Sequence, residues 1–374
     1  MTPQNQPKVS PGLWALAWRR LRGDKIAMGA MAVVIAFLVM LVLSFTGLIA
    51  KDWDAEVGVN YAPPTFIGKA GGGDQIGGVT EDLGPPPENP YDPLKDIIKE
   101  LRAQSGPEAA AGADAPVDDY GIKDPLEKEM AEIRAELSKS GATAAAAKQE
   151  TLPFGADKWG HDIIKKTIKG AETSIIVGLV AAFLATALGT LFGAVAGYYG
   201  KWVDDVFNWF YSVFTSVPYL LLILAVAAVL QQKGVMTIIL ILGLTGWTGT
   251  FRLIRAEYMK HKAREYVWAA DAIGATNMRK MFVHIFPNVS HVALVQISIL
   301  VVSFIKSEVI LSFLGFGVPV GTVSWGSMLN EAQNELILGK WWQLTAASVA
   351  MAVLVTAFSM FTDALRDALD PKLK

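Results

Sequence analysis

Six long apolar windows constrain this chain more than any other feature. A hydrocarbon core about 30 Å thick needs roughly 20 apolar residues in a helix. Residues 28–50, 173–197, 207–231, 235–254, 291–316 and 344–362 meet or approach that length. The first is longer than a signal-peptide core, and no small-x-small cleavage site follows it closely, so it is expected to be retained. The composition agrees: of 374 residues, 52% are hydrophobic and only 18% charged, outside the range of ordinary soluble domains.

Charge gives the six spans a direction. Arg19, Arg20, Arg22 and Lys25 precede the first window, and residues 251–290 carry Arg252, Arg255, Lys260, Lys262, Arg264, Arg279 and Lys280 against three acidic residues. Lys and Arg accumulate on the cytoplasmic side, which puts both termini in the cytoplasm and residues 51–170 outside. The outer portion is distinctive, since residues 51–150 hold 20 acidic and 10 basic residues. Its Gly/Pro-rich stretch at 62–90 and Ala/Gly/Asp-rich stretch at 105–123 predict loop. Asp92-Pro93-Leu94 and Asp124-Pro125-Leu126 each predict a helix start, with Asp as N-cap and Pro at the first helical position. The apolar faces of these helices either pack on each other or on the membrane domain, or form a docking surface for a partner.

Several chemistries are excluded. The absence of cysteine removes disulfides, thiol nucleophiles and Cys-based metal sites. The histidines (His161, His261, His284, His291) have no ligand spacing, so no metal site is expected. No Gly-rich sequence ends in Gly-Lys-Ser/Thr, so the chain has no P-loop for ATP. No catalytic constellation emerges, and no nucleic-acid partner is expected. Within the windows, Gly189, Gly193 and Gly197 form a double small-xxx-small ridge that lets another helix approach closely. Lys306 and Glu308 are the clearest intramembrane charges, and such residues are candidates for function. They either line a substrate path, or both reach water near the outer interface, or Glu308 packs the fifth span against a partner subunit while Lys306 reaches the outer interface.

Between the fourth and fifth windows lies "EYVWAADAIGATNMRKMFVHIFPN", Glu265 to Asn288. With Ala269 and Ala270 on its surface, such a helix can be approached very closely, and Gly274 lets the chain bend into a second helix. That predicts a cytoplasmic helical hairpin fitted to a groove in another protein.

This loop resembles the EAA loop of bacterial ABC importer permeases, and the chain is similar to the second, C-type permease of dipeptide and oligopeptide importers. "LPFGADKWGHD" (152–162), "GYYGKWVDD" (197–205), "SFLGFG" (312–317), "SWGSML" (324–329), "RDALDP" (366–371) and the N-terminal "AWRRLRGDKIA" also resemble that family's signatures. Trp268 stands where the family usually has Glu, Phe286 where Leu is usual, His161 where Arg is common and Lys306 where an apolar residue is common. The resemblance implies an all-α membrane protein: six transmembrane helices in a type I importer core, with a long extracytoplasmic insert after the first. The expected boundaries are a cytoplasmic segment 1–27, first helix 28–50, insert 51–170 and core 171–374 with its coupling loop at 256–290.

As a bacterial inner-membrane subunit, the chain would work with a second homologous permease, two cytoplasmic P-loop ATPases, an extracytoplasmic peptide-binding protein and the surrounding lipid. ATP and Mg would be bound by the partners, and the chain itself would carry no cofactor. Ala269, Ala270, Asp271, Gly274 and Pro287, flanked by Arg264, Arg279 and Lys280, would couple it to the ATPases. Relatives with this pattern also carry nickel chelates, glutathione or antimicrobial peptides. A stand-alone secondary transporter, a different class, would show inverted repeats and polar groups on broken helices.

Overall fold

The computed structural model describes residues 13–68 and 148–369; the helices expected from Asp92 and Asp124 lie outside the described residues. The described residues form α1 (Leu13–Gly23), α2 (Lys25–Phe45), α3 (Ile163–Tyr199), α4 (Lys201–Thr215), α5 (Tyr219–Leu230), α6 (Val235–Thr245), α7 (Thr248–Lys262), α8 (Glu265–Ala272), α9 (Asn277–Phe313), α10 (Trp325–Ile337) and α11 (Trp342–Leu369). Among the described residues, five spans are long and apolar enough to cross a membrane: α2, α3, α6 with α7, α9 and α11.

The span expected at 207–231 is not one helix. It is α4 and α5, bent by 84° at residues 216–218. Pro218 has no N–H to continue the bonding of α4 and instead begins α5. The sixth crossing nevertheless follows from the packing. A Cβ on Gly189 would lie 2.6 Å from the Trp247 carbonyl oxygen, on Gly193 2.8 Å from that of Phe251, and on Gly197 2.6 Å from that of Arg255. Both series climb by four, so α3 and α6–α7 run in the same direction with their backbones almost touching. The chain between them must therefore travel back. α4 does so along α7, with Asp204 on Arg255, Phe207 near Phe251 and Phe214 near Trp247; α5 completes the return.

Helix ends outrun the apolar windows wherever caps and polar contacts hold them. α3 begins ten residues before its window because the Asp162 carboxylate accepts the N–H groups of Ile164 and Lys165. Asp24 caps α2 in the same way, through Ile26 and Ala27. α9 begins at Asn277, well before residue 291, and passes Pro287 unbroken. Its turn from Lys280 to Ile285 is wound as a π-helix, with the Phe286 N–H bonded to the Met281 carbonyl. The wider turn changes the bonding register just before the residue that cannot donate.

The molecule has two ends. At one, Trp342 Nε1 donates to the Ala156 carbonyl (2.7 Å) and Trp325 Nε1 to the Thr167 carbonyl (3.1 Å). Here residues 56–65 and 149–161 form a stem through main-chain bonds such as Gly58 N–H to Gly160 O, Tyr61 N–H to Asp157 O and Ala156 N–H to Ala62 O. Gly160, at φ +87°, admits no side chain, because a Cβ would meet the Gly58 carbonyl oxygen. We call this the insert end. At the other, basic end, an Arg20 guanidinium nitrogen donates to the Ala368 carbonyl and the Tyr198 hydroxyl to Asn277. The described parts of the segments that the Lys/Arg pattern assigns to opposite sides are found at opposite ends. The core between them is built from Ile175, Val177, Ala181, Leu242, Val301, Phe304 and their neighbours.

Candidate functional site

At the basic end, α8 leaves Arg264, turns at Gly274 and enters α9. The expected hairpin is real in outline, but its second helix is the first part of α9 itself. Gly274 makes the turn at φ +77°, its N–H bonded to the Asp271 carbonyl, and Thr276 starts the next helix by accepting the Arg279 N–H. A side chain at that φ would be strained.

The facing of α8 differs from the expectation. Ala270 is 4% exposed and turns inward with Val267 toward a cluster of Tyr198, Ile254, Tyr258, Met281 and Ile285. A helix of two turns on a core must bury one stripe, and residues 267 and 270 lie on that stripe. Ala269 remains exposed, beside Trp268 at 63%. The outward crest is apolar: Trp268, Ile273 (83% exposed), Met278 and Val283. Arg264 and Arg279 are exposed around it and Pro287 is exposed on α9. Asp271 is bound by Lys280, whose stem is buried, so this pair joins α8 to α9 from within the chain. The Tyr258 hydroxyl donates to the Met281 carbonyl and fixes α7 on the same turn.

Lys306 and Glu308 part company. Glu308 is fully buried, accepting hydrogen bonds from Ser174 (2.6 Å) and Ser312 (2.7 Å), while Ser174 also accepts the Trp325 N–H. It therefore joins α9 to α3 and α10 within this chain. A substrate-path position for Glu308 is corrected accordingly, because its carboxylate has no open side. Lys306 is exposed and lacks a partner among the described residues.

At the insert end the "LPFGADKWGHD" segment has a clear structural task. Asp157 is fully buried; one carboxylate oxygen accepts the N–H groups of Trp159 and His161, and the other meets Lys166 Nζ (2.7 Å) and His161 Nδ1 (2.9 Å). Burial alone would raise the carboxyl, but the Lys166 ammonium and these donors outweigh it and hold Asp157 below the ordinary carboxylate range. Lys166 also binds Glu331 of α10 (2.6 Å) and approaches Gln343 of α11. The described residues contain no group of His, Asp and Glu arranged to hold a metal ion.

Comparison with known proteins matches this architecture. Residues 189–374 match the binding-protein-dependent transport system inner membrane component family, and residues 12–64 match the N-terminal TM domain of oligopeptide transport permease C. The dipeptide transport system permease protein DppC of Bacillus subtilis is 35% identical over 251 residues, which cover 66% of this chain and 78% of that protein. The chain belongs to the dipeptide/oligopeptide ABC permease family.

Among other relatives of this permease, the oligopeptide transport system permease protein OppC of the same organism is 36% identical over 59% of this chain and 72% of that protein. The OppC of Haemophilus influenzae is 31% identical over 59% of this chain and 70% of its own length. One chain of the MetNI methionine ABC transporter shows a distant likeness, at 15% identity and a TM-score of 0.43, covering 55% of this permease and 96% of that chain. The permease is a multi-pass inner-membrane subunit. Sequence reading missed Trp268, Ile273, Met278 and Val283 as the outward crest. Their signal was an excess of large apolar residues in a segment otherwise rich in charge.

Proposed function

We propose that this permease imports peptides as one of two related membrane subunits, with its basic end in the cytoplasm and both termini on that side. Two ATPase subunits, which bind ATP and Mg, would seat on the α8–α9 loop, and an extracytoplasmic binding protein would deliver cargo at the insert end. The observation that carries this reading is the crest of Trp268, Ile273, Met278 and Val283. Such residues gathered on an exposed loop between spans are what a protein partner buries. The names of the relatives support peptides as the cargo class. ATP-driven closure of the ATPases would move α8, and the Asp271–Lys280 pair together with the shared core would pass that motion to α9.

Lys306 is the path residue we retain. A charge exposed on a span is costly against lipid unless it meets water, a partner or an interface. Its exposure and lack of a partner fit a surface that attracts a peptide carboxylate weakly.

The test is uptake of labelled dipeptides together with co-purification of the ATPases, comparing the native chain with Trp268→Glu/Ile273→Asp. Uptake and co-purification should fall together while the permease still accumulates in the membrane. Normal assembly and uptake by that variant would remove the loop from the mechanism. Sidedness is checked with single cysteines at Ser105 and Lys262, since the chain has none of its own. An impermeant maleimide on intact cells should label the first and spare the second.

A further inference from the structure

The helix α10 carries a carboxylate that the insert end leaves without a partner. Trp325, Met328, Ala332 and Glu335 occupy one face of α10, at successive spacings of three, four and three. That face is pressed against the molecule: the first three are fully buried and Glu335 is 1% exposed. Neither carboxylate oxygen of Glu335 has a hydrogen-bond partner among the described residues.

Counting donors gives the reason. The nearest cation is Lys166 of α3, and an ammonium has three hydrogens. They go to Asp157 (2.7 Å), Glu331 (2.6 Å) and Gln343 (3.4 Å). The groups that bear on Glu335 are therefore Lys166 from α3, Asp157 from the stem, Glu331 from its own helix and, as the smallest influence, the Lys158 main-chain N–H. His161 is paired with Asp157, and the Tyr61 hydroxyl lies near enough for the charges of Glu335 and Asp157 to act on it. Three carboxylates share one ammonium, and the buried one to which it gives no hydrogen is Glu335.

We propose that Glu335 is a proton-binding site that governs the docking of α10, which lies down with the carboxyl protonated and lifts when the proton leaves. In the docked state the carboxyl keeps its O–H bond. On release that bond breaks, the proton passes to solvent, and the remaining carboxylate is hydrated rather than buried beside Asp157 and Glu331. Burial pushes the docked carboxyl up to about 7, with the two acidic neighbours adding to the rise and Lys166 and the Lys158 main-chain N–H opposing it. A lifted, hydrated carboxyl returns to its ordinary 4.5. The sign follows. Docking is complete at low pH, weakens by about tenfold per pH unit between about 4.5 and about 7, and changes no further above that. Because α10 also meets Glu308 through Ser174 and binds Lys166 through Glu331, its docking bears on how the ends of α3, α9 and α11 are held together.

The experiment uses the full chain in open membrane fragments, where both faces meet the buffer. Ala332, fully buried on the docked face, is replaced by cysteine, and its labelling by an impermeant maleimide is followed from pH 5 to pH 8.5. Gln333→Cys, on the exposed face, supplies the thiol's own pH dependence for normalisation. The normalised rate at position 332 should rise steeply up to about pH 7 and then level off. Adding Glu335→Gln, or the apolar Glu335→Met, should leave that rate low and flat, two variants guarding against the failure of either to fold. A flat profile in the single Ala332→Cys chain overturns the proposal, as does a slope that survives either substitution at Glu335.

Discussion

The insert end and the basic end solve opposite problems. At the insert end, charged groups point inward: Asp157 and Lys166 are buried and matched donor to acceptor with Glu331 and Gln343, and Glu335 beside them receives none of the Lys166 hydrogens. At the basic end, apolar groups point outward: Ile273 and Trp268 stand in solvent while the chain's own contacts run beneath them through Ala270, Val267 and Met281. A buried polar cluster is complete only within one chain, because each missing partner leaves a desolvated charge. An exposed apolar crest leaves surface that, in the function proposed above, a second protein covers. The two ends therefore differ in what each needs from outside, and removing single groups separates them.

The largest effect is expected from Asp157→Ala, which leaves Lys166 buried with one anion fewer. Breaking a buried pair from one side costs roughly 3–5 kcal/mol. The variant should accumulate poorly or melt well below the native chain in detergent, and unchanged thermal stability would break the comparison. Ala270→Glu comes next. Ala270 faces the chain's own core, so the new carboxylate should destabilise the permease itself by about 2–4 kcal/mol, before any ATPase is added. Loss of ATPase binding with undiminished stability would instead put Ala270 on the docking surface.

Ile273→Asp should do the reverse. Its stability should stay within about 0.5 kcal/mol of the native chain, while ATPase co-purification weakens by about 2 kcal/mol, on the order of thirtyfold. A fourth prediction uses pH. The folded-state pKa of Asp157 is depressed, so its contribution is present above the ordinary carboxyl value of 3.8 and is lost as pH falls below it. Thermal stability of the native chain should drop through that acid range, and Asp157→Asn should flatten the drop. The smallest effect is expected from Asp271→Asn, since Asp271 is largely exposed. A large loss of stability there would mean that the Lys280 contact holds the loop more firmly than its exposure implies.

Much of the fold was legible in advance. Among the described residues, apolar windows matched five spans, the glycines at 189, 193 and 197 marked a face that another helix approaches closely, and Lys/Arg bias divided the loops into the two groups whose described parts lie at separate ends. The break at residues 216–218 was hidden, because the apolar run continues through Val217 and Pro218 and hydropathy does not register an angle. The site was half legible. The loop 265–288 was visible by its composition, but which of Ala269 and Ala270 faces outward depends on how α8 is rotated on Tyr258 and Met281. Glu308 looked like a path residue because depth in a span was all that could be read. Its partners Ser174 and Ser312 became apparent only when α3 and α9 were brought together.

By itself, then, the sequence determined the number and length of the apolar segments and the loops in which basic residues gather. Those properties depend on transfer from water to lipid and on caps, which act within a few residues along the chain. The tertiary structure alone decided that Lys166 spends its three hydrogens on Asp157, Glu331 and Gln343 and that Glu335 receives none. It also decided that Trp268 faces outward where Ala270 does not. Both outcomes depend on which groups compete for one donor or one buried face after distant segments meet, and that competition has no trace in the local sequence.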